Sequence, residues 1–272
     1  IIQFPVLNFR KIDEASAHLS TYAEHVFMGV QTGCDVITDK LINAALEKNL
    51  ISTKQARQYV VGTGIYVLTQ EELKSLHLST IEIRDCVKPF YKNSEIVRYF
   101  TPAQNTRYLL YVDSQTDINR YPKIKMYLDG FRPLLAAREQ AVTEQYNWYW
   151  IRGSKRESMF YRPDAIVVPY RAASNRFSIC YQDIFGAGDL YYIALNQRYS
   201  TRALLGFLNS TLVFFHLRTR GKRKGRTIEY YKNPLEQIPV HKDLLIESRC
   251  TTAFETLVNQ IIDSKRHDFR AD

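Results

Sequence analysis

Four short runs rich in β-branched and aromatic residues, at 107–112, 165–170, 177–181 and 190–195, set the strongest limit on how this chain can fold. Turn-forming text separates the last three: Ala173-Ser174-Asn175 and Gly186-Ala187-Gly188-Asp189. This spacing predicts an antiparallel meander rather than alternating βα units. Apolar residues recur at helical spacing over 39–48, 70–76, 121–146, 201–217 and 244–267, so the expected fold is mixed α+β. Pro133 lacks a backbone donor and should kink or divide the 121–146 helix near Phe131. The last stripe, from Leu244 to Ile262, describes an amphipathic helix packed on a core or on a neighbouring domain. Three regions follow: a mostly helical lobe over 1–80, a β-rich and mainly antiparallel region over 81–243, and a C-terminal helix over 244–272.

With 272 residues, 45% of them hydrophobic, the chain can bury one sizeable core or two modest ones without metals or disulfides. Cys34, Cys86, Cys180 and Cys250 lie far apart and form no C-x-x-C pair, which reads as reduced thiols in a cytoplasmic setting. The opening residues lack the features of a secretory leader, and no apolar run approaches the span of a bilayer. Because the sequence opens without Met and enters an apolar stretch at once, it reads as a piece of a longer protein.

The net charge of +9 matters through its location. Residues 151–232 hold 15 Lys and Arg against five Asp and Glu, and the remainder is close to neutral. A local cationic excess suits a polyanion, because each phosphate neutralised releases condensed counterions. The densest run, from His216 to Arg226, holds Arg218, Arg220, Lys222, Arg223, Lys224 and Arg226 with no acid, and Gly221 and Gly225 let its backbone approach a ligand closely. A solvated loop is the commoner fate of a charge run, but such loops usually mix both signs.

Other candidates are weaker. In the stretch Trp148 to Arg156 the tryptophans suit packing, while Lys155 and Arg156 suit a phosphate backbone. Arg171 and Arg176 flank a turn between predicted strands, where a two-stranded ribbon could enter a groove and reach base edges. The pairs Gly29/Gly33 and Gly62/Gly64 lack the completing residues of a P-loop or dinucleotide fingerprint and read as tight turns. The six histidines are scattered, with no nucleophile motif or metal-ligand cluster around them.

Several phrases, in order, resemble the TaqI-like C-terminal specificity domain of adenine-N6 DNA methyltransferases and related fused restriction enzymes. They are Gly29-Val30-Gln31-Thr32-Gly33; Val87-Lys88-Pro89-Phe90-Tyr91-Lys92 with Arg98-Tyr99 after it; Leu134-Leu135-Ala136-Ala137-Arg138; Ala165-Ile166-Val167-Val168-Pro169; Leu204-Leu205-Gly206-Phe207-Leu208-Asn209-Ser210; and Leu235-Glu236-Gln237-Ile238-Pro239-Val240. The resemblance implies a target recognition domain that holds double-stranded DNA against an N-terminal methyltransferase domain of the same parent protein. It also implies that S-adenosylmethionine is bound by that other domain, with no cofactor or metal in this chain. The catalytic phrase of that partner is missing here: Asn233-Pro234-Leu235-Glu236 is the nearest text and lacks the second proline and the aromatic residue. The same resemblance adds Lys88 and Lys92 as secondary DNA contacts. The segment 39–76 is longer and more helical than the family leads one to expect. Two other readings stay open, a complete small methyltransferase and a protein-interaction module whose basic face docks an acidic partner.

Overall fold

The computed structural model describes residues 16–101, 106–138, 146–152, 159–162, 164–179, 183, 185–246 and 248–268. In chain order the strands are β1 (Ala17–His18), β2 (Ala23–Met28), β3 (Val67–Thr69), β4 (Val87–Tyr91), β5 (Tyr99–Phe100), β6 (Arg107–Leu110), β7 (Ile166–Pro169), β8 (Arg171–Ala172), β9 (Ser178–Ile179), β10 (Phe185–Gly186), β11 (Leu190–Leu195), β12 (Arg223–Lys224), β13 (Thr227–Glu229) and β14 (Pro239–Val240). The α-helices are α1 (Asp39–Glu47), α2 (Thr53–Ala56), α3 (Gln70–Ser75), α4 (Thr80–Cys86), α5 (Pro122–Asp129), α6 (Arg132–Ala136), α7 (Thr201–Leu208), α8 (Thr211–Arg220), α9 (Lys232–Glu236) and α10 (Arg249–Asp268). The fold is mixed α+β with mainly antiparallel sheets, as the sequence predicts. None of the described helices is long and apolar enough to cross a membrane.

A five-stranded sheet, β2-β11-β7-β9-β5, lies between two hydrophobic cores and belongs to both. Side chains alternate between the faces of a strand. Tyr192 and its cross-strand partners Val167 and Phe27 therefore enter the first core, while Ile193 and its partners Ile166 and Val26 enter the second. Phe27 and Tyr192 stack with centroids 4.9 Å apart. Burial on both faces explains why β7 and β11 read as nearly unbroken apolar runs. The first core is completed by the β10-β4-β6-β3 sheet and the helices α1, α5 and α6; the second by α7, α8 and α10.

The structure corrects the expected strand order. After β7 the chain leaves the sheet as β8, which pairs with β13, so β7 has β9 on one side and β11 on the other. Two helices, 201–217 and 244–267, also differ from expectation, while the division expected near Phe131 is present. The 121–146 helix divides around Gly130 and Phe131, with Pro133 in the first turn of α6 where its missing donor costs nothing, and 139–145 lies outside the described residues. The 201–217 helix breaks at Asn209-Ser210. The Ser210 hydroxyl caps α8 by accepting from Val213 N, while the buried Asn209 amide accepts from Phe177 N and donates to Phe177 O. The last helix begins at Arg249, and Leu244 belongs to a 3-10 turn (Lys242–Leu244) packed into the second core.

One buried carboxylate joins two helix starts. Glu82, 1% exposed, accepts from Ser79 N and Oγ at the start of α4 and from Lys123 N (2.8 Å) and Ile124 N (3.3 Å) in the first turn of α5. Burial alone would raise its pKa, but these donors outweigh it and hold the carboxyl below the ordinary glutamate value. Its contribution to stability is therefore complete above the unfolded-state pKa and disappears as pH falls through the lower folded-state value. Glu82→Ala leaves those donors without their acceptor and should cost about 3 kcal/mol, seen as a lower urea midpoint at unchanged slope.

Candidate nucleic-acid interface

The acid-free run from His216 to Arg226 is the end of a helix followed by a tight hairpin. Arg218 and Arg220 occupy the last turn of α8, where cations complement the helix dipole. Gly221 N donates to Leu217 O at 2.9 Å, and a Cβ at Gly221 would lie 2.4 Å from that same oxygen, so only glycine allows this exit. Lys224 pairs with Thr227, leaving Gly225 and Arg226 as the turn. Gly225 has φ +60° and Arg226 does not share the positive sign, the pattern of a type II′ hairpin turn. Arg223 and Lys224 on β12 and Arg226 at the tip are exposed.

The hairpin is anchored at its base. Ile228 and Tyr230 are fully buried; Tyr230 Oη donates to Asn175 Oδ1 (2.9 Å) and Tyr230 N to Tyr170 O (2.8 Å). Between them Glu229, 2% exposed, lies directly across the sheet from Arg171. Arg171 Nε and Nη2 reach Glu229 Oε1 at 3.0 and 2.8 Å, and Lys222 Nζ lies 3.3 Å from Oε2. The Arg171 guanidinium also stacks over Tyr170, and Lys222 over Tyr231. One buried carboxylate thus holds two cations of the basic face and ties β13 to β8 and to the residue that enters β12.

Beside the hairpin an open cavity of about 880 Å³ lies between α8, α9 and the β1–β14 pair. Arg220, Lys222 and Lys232 supply its cations, His18 and His216 its imidazoles, and Asn233 and Gln237 its amides. Sequence reasoning singled out Arg220 and Lys222 but missed Lys232, Asn233, Gln237 and His18. Asn233 and Gln237 stand four residues apart, the helical spacing that places two side chains on one face; His18 arrives from far away in sequence through the pairing of β1 with β14.

The remaining expected contacts are dispersed. Arg176 points inward: its Nη2 donates to the carbonyl and side-chain oxygens of Asn93, and burial lowers its pKa. Lys88 is 7% exposed, with Nζ 2.9 Å from Tyr161 Oη and over the Phe185 ring. Both make their hydrogen bonds inside the fold. Lys92 lies 3.6 Å from Asp35 in a second cleft of about 870 Å³ near Gly33. There the buried Arg138 donates to the carbonyls of Thr32, Leu135, Trp148 and Trp150. Gly62, at φ +94°, lies in a turn as expected, with its N donating to Ile37 O, but Gly29 does not: it continues from β2, Val30 bridges Ala187, and a Cβ at Gly29 would lie 2.2 Å from Ala187 O. Lys155 and Arg156 lie outside the described residues. No group of three His, Cys, Asp or Glu among the described residues is arranged to hold a metal ion.

Glu229 is the test of this architecture. Burial pushes its pKa up, yet hydrogen bonds from Arg171 and Lys222 more than offset this and leave it below the ordinary glutamate value. The cluster is therefore intact above the usual glutamate range and opens only when pH falls beneath it. Glu229→Gln should accelerate amide hydrogen exchange at positions 229 and 230 by roughly tenfold, the order of one charge-assisted hydrogen bond.

The fold is similar to that of part of the type IIG restriction endonuclease BpuSI, with a TM-score of 0.52 at 14% identity, covering 92% of this chain and 27% of BpuSI. A match to the type IIL restriction-modification enzyme MmeI, solved in complex with DNA, has a TM-score of 0.39 at 15% identity and covers 61% of this chain and 22% of MmeI. The chain thus spans about a quarter of the length of either protein. Comparison with curated proteins gives no match. The sequence matches the TaqI-like C-terminal specificity domain over residues 88–240, more than half of the chain. That stretch takes in β4 to β14, the hairpin and the wall formed by α9, so the chain belongs to the family of TaqI-like C-terminal specificity domains.

Proposed function

We propose that this chain is the double-stranded DNA recognition domain of a restriction-modification adenine-N6 methyltransferase, and that it positions DNA for a catalytic domain elsewhere in the same polypeptide. The observation that carries this reading is the anchored hairpin, which raises Arg223, Lys224 and Arg226 into solvent with no ion-pair partner for any of them among the described residues. Unpaired cations on a rigid two-stranded ribbon can enter a groove or straddle its phosphates without first breaking internal bonds. Arg218 and Arg220 extend the same charge along the end of α8.

Methyl transfer is assigned to the partner domain, together with S-adenosylmethionine. The residues here do not fit that chemistry: Asn233 and Pro234 belong to α9, a short helix fixed by the fully buried Leu235, and no aromatic residue follows them as a stacking partner for an extruded base.

Reversing charge at Arg223, Lys224 and Arg226 together should weaken binding to all duplexes and flatten the dependence of log K on log salt by about 2–3, close to 0.9 for each phosphate that is no longer neutralised. Fluorescence anisotropy across a salt series reads both quantities. Equal affinity and slope would remove the hairpin from the DNA surface. In parallel, calorimetric titration of the chain with S-adenosylmethionine should give no binding heat, whereas a complete small methyltransferase would bind it.

A further inference from the structure

We infer that Asn233 and Gln237 are sequence-reading side chains of the cavity beside the hairpin and that they select adenine in A·T base pairs; this rests on the DNA-recognition reading above. Lys222 already faces Glu229, and Lys232 Nζ lies 3.7 Å from Glu236. The side-chain amides of Asn233 and Gln237, by contrast, have no partner among the described residues and are exposed on the cavity wall. The uncommitted hydrogen-bonding capacity of this cavity thus includes two neutral groups that each carry a donor and an acceptor.

That chemistry separates reading from holding. Phosphate oxygens only accept, so a site built to hold the backbone gains most from cations. A carboxamide matches the paired N6 donor and N7 acceptor that adenine presents in the major groove, and no other base offers that pair on one edge. The two amides lie four residues apart, about 6 Å along a helix axis, which spans roughly two base steps at about 3.4 Å each.

The platform beneath them is rigid. Leu235 and Ile238 are fully buried, Leu235 N donates to Tyr231 O, and Ile238 O accepts from Leu19 N at 2.9 Å. A short helix locked from below holds its exposed amides in place before DNA arrives, which discrimination requires. Because neither amide is buried or bonded within the protein, truncating them leaves the cores untouched.

The test is selection of bound duplexes from a random library by three proteins: the chain itself, N233A/Q237A and Q237E. The parent chain should enrich a motif with adenine at one or two positions no more than about two base pairs apart. N233A/Q237A should lose preference there by at least about fivefold and keep the rest of the motif. Q237E, which can only accept, should exchange adenine at one of these positions for cytosine, whose N4 amine donates. Thermal melting of both variants should match the parent. An unchanged motif from N233A/Q237A overturns the inference and leaves the recognition reading intact. A uniform fall in affinity for all sequences also overturns it, since the amides would then hold backbone. If the parent chain enriches no motif, the recognition reading fails and this inference fails with it.

Discussion

The arrangement of the described residues depends on a sheet whose central strands, β7 and β11, are covered on both faces. Because successive residues of β7 and β11 point in opposite directions, each strand has to satisfy two cores at once: Val167 and Tyr192 on one side, Ile166 and Ile193 on the other. A register slip of one residue would exchange the two sets and misplace large aromatic and small branched side chains together. This fixes the position of β8, which leaves β7 after Tyr170 and carries Arg171 to the edge where the basic hairpin attaches. The location of the candidate DNA surface is a consequence of packing deep in the chain.

The cations divide into two populations that charge alone does not distinguish. Arg138, Arg176 and Lys88 donate to carbonyls or to oxygens inside the fold, and Arg171 is held against a buried carboxylate. Removing such a cation leaves buried acceptors without a donor, so these positions carry structural weight. Arg223, Lys224 and Arg226 contribute to neither core. Lys222 belongs to both populations, because its ammonium faces Glu229 while its chain lines the cavity. A buried acid between two cations keeps them oriented at the cost of part of their attraction for an anion.

Much of this was legible in sequence where a signal is local. β11 runs over 190–195 as its aromatic and branched run predicts, α1 starts at Asp39 after the Thr38 cap, and Pro133 marks the division near Phe131. β2 escaped because Glu24 and His25 interrupt its apolar pattern, although Val26 and Phe27 are buried against opposite cores. The inward course of Lys88 was readable in principle: it shares a face of β4 with the fully buried Phe90, and a strand alternates strictly. Asn233, Gln237 and His18 were not readable, since their shared cavity depends on the pairing of residues 17–18 with 239–240, a contact that closes a loop of more than two hundred residues.

The division between anchored and exposed residues also bears on how one frame could serve many target sequences. In the hairpin and α9 the residues that fix position are Ile228, Tyr230, Leu235 and Ile238, all fully buried, with Glu229 clamped between two cations. Those that meet solvent, Arg223, Lys224, Arg226, Asn233 and Gln237, alternate with them along the same short stretch. Substitutions at exposed positions away from caps and networks usually change stability by no more than about 0.5 kcal/mol, whereas one altered base contact changes discrimination by about 1–3 kcal/mol. Specificity can therefore change here faster than stability declines, because the side chains that would read DNA are not the ones that hold the reading surface in place.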